Sequence, residues 1–279
     1  MFTVKQNIVA VLLAAGLITC AALASCTNNN KDNQTLPERT PLNSTIELQP
    51  EKAHFAFMEH DQSTPHTLQS ADKQTIYIST SAEKVSFVAE NRADRESAKR
   101  INSVLTNAAE RTGDIYNSLV ESFDEYFSQE NADMSVFPWE TKIDYTCIRN
   151  DGKAISVIES IESYSAGVLN GTVNFTYNFS PATGEQITQV FYAAGDKQAF
   201  DSADDTMYKK LVEKYGEEVI SYDNIASSFV EAAEPCWYFT ESGVKIAFNP
   251  GIVADASAGV LELEYTKEEL PELAQKYFN

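Results

Sequence analysis

The spacing of apolar residues changes repeatedly between residue 75 and the end of the chain. Apolar runs at 75–78 and 85–88 predict two strands joined by a polar turn. Apolar residues then recur at intervals of three, four and seven, which predicts a long helix with one apolar stripe. That stripe comprises Ile101, Val104, Leu105, Ala108, Ile115, Leu119, Val120, Phe123 and Phe127. Gly113 lies within the stripe, and we expect the helix to break or bend there.

Beyond Pro138 the period becomes two. Residues 143–147, 155–161 and 173–179 alternate apolar and polar side chains, which predicts antiparallel strands with one buried face. The segments 150–153 and 180–184 are expected to be turns, because their Gly and Pro residues suit the backbone angles of turns.

The last part of the chain predicts a short helix at 204–215 and strands at 236–240, 244–248 and 260–265. Thr266 and Glu269 then form a capping-box pattern, which predicts the start of a helix. Helices and antiparallel strands in separate runs indicate an α+β fold. We expect antiparallel sheets packed with one long helix and one or two shorter ones.

The N-terminal 25 residues have the layout of a bacterial lipoprotein signal. Lys5 precedes an apolar run at 8–22 that is too short to span a membrane. The run closes on Leu23-Ala24-Ser25-Cys26, with polar residues after it. We therefore expect residues 1–25 to be removed and Cys26 to carry lipid, palmitate included, in the cell envelope. An ordinary signal peptide or a short membrane anchor is the alternative.

Residues 26–70 are rich in Asn, Gln, Thr, Ser and Pro, and they predict a flexible polar tether. The alternation of Phe55 and Phe57 favours a first strand as the alternative. Residues 71–279 are then long enough for one domain, or for two subdomains at about 71–165 and 166–279.

Charge narrows the classes of partner. The whole chain has a formal net charge of −20, and without residues 1–25 there are 41 acidic residues against 20 basic ones. Such a surface repels nucleic acid and attracts cationic partners at low ionic strength. The plainer explanation is solubility, since excess acid keeps exported proteins apart.

The residue types exclude several chemistries. The three histidines are His54, His60 and His66, so residues 67–279 lack the base of a Ser/His/Asp triad and the ligands of a His-based zinc site. There is also no Gly-rich phosphate loop. We expect no catalytic residue, no metal and no cofactor; a hydrolase built from carboxylates alone is the remaining enzymatic alternative.

Cys147 and Cys236 remain once residues 1–25 are removed and Cys26 is lipidated. Both lie in strand-like segments, so they could form a disulfide outside the cytoplasm, or each could be a small buried side chain.

One segment between strands stands out as a candidate for recognition. Rigid sheets present their connecting loops for binding, and residues 164–171 connect two well-defined strands. The candidate binding residues are Tyr164, Ser165, Gly167 and Asn170.

The strand-rich half also resembles a known family. Residues 99–102 are similar to its helical "I-N" segment, 154–157 to its strand "lSv", and 177–188 to its "yNfD-xx-TG-xx-lt". Residues 239–250 then resemble its "fylt-xx-G-l-x-f-x-FnpY". The family is the extracytoplasmic domain of RsiV-type anti-sigma factors, which is also the accessory domain of PdaC-type peptidoglycan deacetylases.

This resemblance implies a ligand-binding domain, since RsiV-type domains bind lysozyme. Two departures from the family pattern limit what the resemblance implies. Val168-Leu169 lies where the family usually has Gly-His in a turn, and Gly251-Ile252 lies where it has Tyr-Glu after Asn-Pro. RsiV-type proteins carry a cytoplasmic segment and a transmembrane helix, whereas we expect this chain to begin with a signal peptide. We therefore expect neither an anti-sigma factor of that design nor a deacetylase.

Together these features predict a lipoprotein held at the membrane through Cys26, with a non-catalytic domain that captures a cationic protein such as a lysozyme. A module that binds cell-wall glycan or peptide is the alternative.

Overall fold

The computed structural model describes residues 55–60, 65–220 and 228–278. The predicted signal peptide at 1–25, the expected lipidation site Cys26 and the predicted tether up to residue 54 lie outside the described residues. Within the described ranges, every helix is too short or too polar to cross a membrane.

The described residues form ten strands and five α-helices. The strands are β1 (Phe55–His60), β2 (His66–Gln69), β3 (Ile76–Ala82), β4 (Lys84–Ala89), β5 (Trp139–Asn150), β6 (Ile155–Ser165), β7 (Val168–Phe179), β8 (Trp237–Phe239), β9 (Gly243–Phe248) and β10 (Leu261–Thr266). The helices are α1 (Arg95–Ala109), α2 (Arg111–Phe127), α3 (Lys197–Tyr215), α4 (Phe229–Ala233) and α5 (Glu272–Gln275).

A five-stranded sheet organises the fold, in the order β2-β3-β5-β6-β7. Only the β3–β5 pair is parallel, and the other three pairs are antiparallel. The predicted turn at 150–153 joins β5 to β6, and the predicted turn at 180–184 follows β7. The predicted α+β class is confirmed.

Helices α1 and α2, together with the paired strands β1 and β4, cover one face of this sheet. Ile101 and Leu105 of α1 meet Phe87 of β4 and Ile143 of β5 in one hydrophobic cluster. The side-chain amide of Asn102 secures this layer, because it accepts a hydrogen bond from the Phe87 N–H at 2.7 Å and donates one to the Phe87 carbonyl at 2.9 Å. The backbone N–H and C=O groups of Phe87 at the edge of β4 are therefore hydrogen-bonded, and another strand cannot pair with them.

A second core lies between α3, α4 and a three-stranded sheet in the order β10-β9-β8. Trp237 is its largest fully buried side chain. Two predictions hold here: residues 241–243 turn β8 into β9, and the Thr266 N–H donates to Glu269 Oε2 at 2.9 Å. That capping box begins a 3-10 turn at Lys267–Glu269, and α5 follows it.

The long apolar stripe is real, but it lies on two consecutive helices. The break is at Glu110, three residues before Gly113, which lies in the first turn of α2. The predicted short helix is also longer than expected: α3 begins at Lys197 and not at 204. The Asp196 side chain sets this start by accepting a hydrogen bond from the Ala199 N–H at 2.9 Å.

The predicted domain boundaries also need correction. The tether does not reach residue 70, because Phe55–His60 and His66–Gln69 are strands of the fold. The proposed division near residue 165 would cut the β6–β7 hairpin, whose strands pair from Phe179 to the turn with one bulge at Asn170.

Candidate functional site

The second face of the five-stranded sheet is covered over only half its length. Near the β5–β6 turn, Ile148 and Ile158 pack against Tyr238 and Ala247 of the three-stranded sheet. Toward the β6–β7 turn, the residues of this face are half-buried polar and charged side chains. They form what we call the acidic face: Glu140, Lys142, Asp144, Glu162 and Tyr164.

Strand register brings the acidic face together. Residues two apart on a strand share a face, so Glu140, Lys142 and Asp144 project side by side from β5. On β6, Tyr164 is directly opposite Glu140, and Glu162 is directly opposite Lys142. Cross-strand neighbours of this kind have their Cβ atoms about 5 Å apart.

The members of the acidic face interact with one another. The Tyr164 hydroxyl donates a hydrogen bond to the Glu162 carboxylate, and the Lys142 Nζ lies 4.9 Å from the centre of the Tyr164 ring. The hydrogen bond to Glu162, followed by burial, raises the pKa of Tyr164 to about 12. Burial, followed by the charge of Glu162, raises the pKa of Asp144. Three carboxylates and one ammonium leave this surface anionic.

The segment expected to be a loop is a tight hairpin. Ser165 ends β6, Val168 begins β7, and only Ala166 and Gly167 lie between them. Both have positive φ angles, 50° and 79°, as a two-residue hairpin turn requires. Of the four candidate binding residues, only Gly167 therefore lies in the turn itself.

The other candidate residues lie on the strands. Tyr164 belongs to the acidic face, while the Asn170 side chain donates to the Ser165 Oγ at 2.7 Å and braces the hairpin. Beyond them the hairpin exposes two apolar side chains: Val168 is 67% exposed and Leu169 is 37% exposed. Leu169 pairs with Tyr164, so it borders the acidic face.

More apolar surface lies at the same end of the sheet. The Ala166 N–H donates to the Pro138 carbonyl at 2.9 Å, which places the hairpin turn beside the start of β5. Phe127 is 55% exposed and stacks on Phe123, whose ring also contacts Phe137 and Trp139. This end of the sheet therefore combines an anionic surface with exposed apolar side chains.

A buried ionic cluster, which the sequence did not predict, lies on the opposite, helix-covered face of the five-stranded sheet. Glu159 of β6 is completely buried, where it accepts hydrogen bonds from Arg111 at the start of α2 and from the Tyr177 hydroxyl at 2.7 Å. Burial raises the pKa of Glu159, while the charge of Arg111 opposes that rise. The signal was present in the sequence, because Glu159 takes an inward position between Val157 and Ile161.

Cys147 and Cys236 are free thiols in separate hydrophobic clusters, and the structure contains no disulfide between them. Cys236 is buried, and Cys147 is half-buried. Burial raises the pKa of each thiol to about 12. Neither sulfur is therefore a thiolate nucleophile near neutral pH.

The described residues contain no group of three or more side chains suited to a metal ion. The His60 Nε2 lies 2.8 Å from the Ser86 Oγ, and the His66 ring packs against Tyr116, while His54 lies outside the described residues. A groove of about 470 Å³ between β4 and α1, and a cavity of about 30 Å³ between the sheets, have no carboxylate in their walls.

The chain matches no protein-family model and no curated protein. Two crystal structures nevertheless share its architecture. A DUF3298 family member from Bacteroides fragilis has a TM-score of 0.56 at 10% identity, over 81% of this chain and 97% of its own. A DUF3298 family protein from Pseudomonas aeruginosa has a TM-score of 0.51 at 11% identity, over 79% and 96%. The chain has the fold of these DUF3298 proteins.

Several residues that carried the family resemblance hold this DUF3298 fold together. Ser156 donates to the Asn178 Oδ1 at 2.6 Å, and Asn178 donates to the Trp237 carbonyl at 2.8 Å. The Asn249 side chain exchanges two hydrogen bonds with the Asn174 backbone, at 2.7 and 2.8 Å. These buried polar groups join β6 and β7 to the three-stranded sheet, so in this chain they determine structure.

Proposed function

We propose that this protein is a lipid-anchored binding protein of the bacterial cell envelope, without catalytic activity, that captures a cationic protein such as a lysozyme. The observation that supports it best is the acidic face, an uncovered half of a sheet face bordered by the exposed Leu169. The resemblance to RsiV-type extracytoplasmic domains adds support, and a fold shared with DUF3298 proteins is compatible with it.

The charge of the acidic face would act mainly on encounter. Oppositely charged surfaces accelerate association, and salt weakens this effect because the Debye length falls to about 8 Å at physiological ionic strength. Exposed apolar side chains at the border would then slow dissociation, because they lose contact with water in the complex.

Neutralising the acidic face should weaken capture. For the triple variant Glu140→Gln, Asp144→Asn, Glu162→Gln, we expect association with a cationic lysozyme to slow by about tenfold at low salt. The measurement is surface plasmon resonance at a low and a physiological salt concentration, on the full chain. The difference between wild type and variant should shrink as salt rises.

The matched control removes three exposed carboxylates from the α3 region: Asp205→Asn, Glu213→Gln and Glu217→Gln. It changes net charge equally and should keep most of the wild-type rate. Equal slowing by both triple variants would show that only net charge matters. No binding of wild type at low salt would remove lysozyme capture altogether.

The proposed lipidation of Cys26 can be tested separately from lysozyme capture. In a bacterial host, Cys26→Ser should abolish incorporation of labelled palmitate and release the protein from the membrane fraction, because the thiol is the acceptor of lipid. Cys20→Ser serves as the control and should leave both unchanged. A wild-type chain without label would contradict lipidation but leave the acidic face untouched.

A further inference from the structure

Strand β7 forms one edge of the five-stranded sheet. In an antiparallel edge strand, alternate residues direct their N–H and C=O groups away from the sheet, where another chain can pair with them. On β7 these outward residues carry even numbers, as the hydrogen bonds of Asn174 and Thr176 show.

The inner half of this edge is covered. Asn174 exchanges its two outward hydrogen bonds with the Asn249 side chain, and the Thr176 N–H donates to the Pro235 carbonyl at 2.9 Å. The Asn178 carbonyl accepts from the Ile187 N–H at 2.7 Å.

Other edges of the fold are covered in the same manner. The Tyr215 hydroxyl donates to the Glu262 carbonyl of β10 at 3.0 Å and accepts from the Glu262 N–H at 2.8 Å. Asn102 covers β4 at Phe87. Coverage by side chains is how this fold protects outward backbone groups from pairing with another chain.

The outer half of β7 is different. Pairing with β6 runs without interruption from Phe179 to Gly171, so Thr172 has the same outward orientation as Asn174. Within the described ranges, the outward N–H and C=O of Thr172 have no hydrogen-bond partner. The adjacent Asn170 is the extra residue of a bulge and has no partner on β6.

The surroundings of this open edge indicate the chemistry of an occupant. Thr172 pairs with Glu162, so its side chain borders the acidic face. Val168 and Leu169, on the same strand, are exposed. Side chains on one face of an added strand would lie next to Thr172 and two strand spacings, about 10 Å, from the Glu162 backbone, within reach of a long basic side chain. Side chains on the other face would lie on the same side of the sheet as Val168.

We propose that an extended segment of the partner, with basic and apolar residues in alternation, adds as a sixth strand to β7 at residues 170–172. The inference rests on the proposed capture of a cationic protein and specifies how that partner is held. Main-chain hydrogen bonds supply affinity in this mode, and the acidic face selects the basic side chains.

A synthetic octapeptide of alternating Lys and Val tests this directly on the full chain. We expect it to bind at low salt and to slow hydrogen exchange at the Thr172 amide. A peptide of the same sequence with N-methyl groups on alternate amides should bind about tenfold more weakly, because it cannot pair along one edge.

Variants at Thr172 provide a second test of strand addition. Thr172→Pro removes an outward N–H without removing a β6–β7 hydrogen bond, and should weaken peptide and lysozyme binding about tenfold. Thr172→Ala keeps the N–H and should bind as wild type does. The thermal unfolding curve of each variant checks that the fold is retained.

The outcomes separate the two proposals. Absence of peptide binding, or no effect of either N-methylation or Thr172→Pro, overturns strand addition. Lysozyme capture that survives Thr172→Pro keeps the proposed function and overturns strand addition. Peptide binding that depends on Thr172, with no lysozyme binding, keeps the open edge as a binding site and removes lysozyme as the partner.

Discussion

Replacing Arg111 with methionine is expected to destabilise the fold by about 3–5 kcal/mol, the cost of leaving a buried charge without its partner. Glu159 is completely buried, and Arg111 and the Tyr177 hydroxyl donate to its carboxylate. Methionine fills similar space but donates nothing. Urea unfolding at neutral pH, monitored by circular dichroism, measures the loss.

Two controls distinguish burial of charge from loss of packing. Arg111→Met combined with Glu159→Leu removes both charges, and we expect it to recover most of the lost stability. Arg100→Met removes an exposed cation paired with Glu185, and should cost less than about 1 kcal/mol. A double variant as unstable as Arg111→Met would show that the cost is not the unpaired carboxylate.

The Arg111→Met defect should also depend on pH. The pKa of Glu159 is already raised by burial above its ordinary 4.5, and loss of Arg111 raises it further. A carboxyl group whose pKa is higher in the folded than in the unfolded protein favours folding when protonated. Below about pH 4.5, the free energy of unfolding of the variant should therefore approach that of wild type. It should fall as pH rises through the folded-state pKa of Glu159. An equal defect at all pH values would contradict this explanation.

Replacing Gly184 with alanine is the second large effect, and we expect a loss of about 2–4 kcal/mol. The residue has a φ of 69°, and a Cβ there would lie 2.3 Å from the Ser97 carbonyl oxygen and 2.7 Å from the Ser97 Cα. Both are backbone atoms of α1, so neither can rotate away. The positive φ costs about 1 kcal/mol, and the overlap adds about 1–3 kcal/mol.

Gly167→Ala is a matched control for this prediction. Gly167 also has a positive φ, 79°, but a Cβ there meets no atom within 4 Å. The Gly167→Ala variant should lose only the cost of the positive φ angle, about 1 kcal/mol. Thermal unfolding of both variants compares the two losses, and equal losses would show that contact with Ser97 contributes nothing.

Gly184 gives a structural role to one of the segments that resemble the RsiV-type family. It is the glycine of the segment 177–188, and it lets the turn after β7 approach the first turn of α1. The Ser97 hydroxyl donates to the Ala182 carbonyl at 3.1 Å across the same contact. The signature therefore reports how the sheet meets the helix layer, whereas the acidic face and the hairpin turn lie at the other end of β7.

Local patterns predicted most elements but fewer of their ends. The alternation at 173–179 lies within β7, and the apolar stripe at 101–127 lies on α1 and α2, because each depends on which side chains face the core. Helix ends were harder to predict. The start of α3 depends on one capping hydrogen bond, which the Asp196 side chain accepts from the Ala199 N–H, and Lys197 therefore begins the helix seven residues before the predicted start.

The candidate site was likewise predicted only in part from the sequence. The sequence indicated Tyr164 but described residues 164–171 as a loop, because the glycines there suggested irregular backbone. Strand pairing instead extends to a two-residue turn. Glu140, Asp144 and Glu162 could not be distinguished from the other acidic residues, since their proximity depends on register between β5 and β6.

The sequence alone determined the α+β class, the alternating strands and the excess of acid, because side-chain periodicity and composition are local properties of the chain. Only the tertiary structure decided that β8 and β9 cover half of a sheet face, that Glu159 is buried against Arg111, and that the edge of β7 is open at Thr172. These features join residues far apart in sequence, and their energies come from burial and pairing that exist only after the layers have packed.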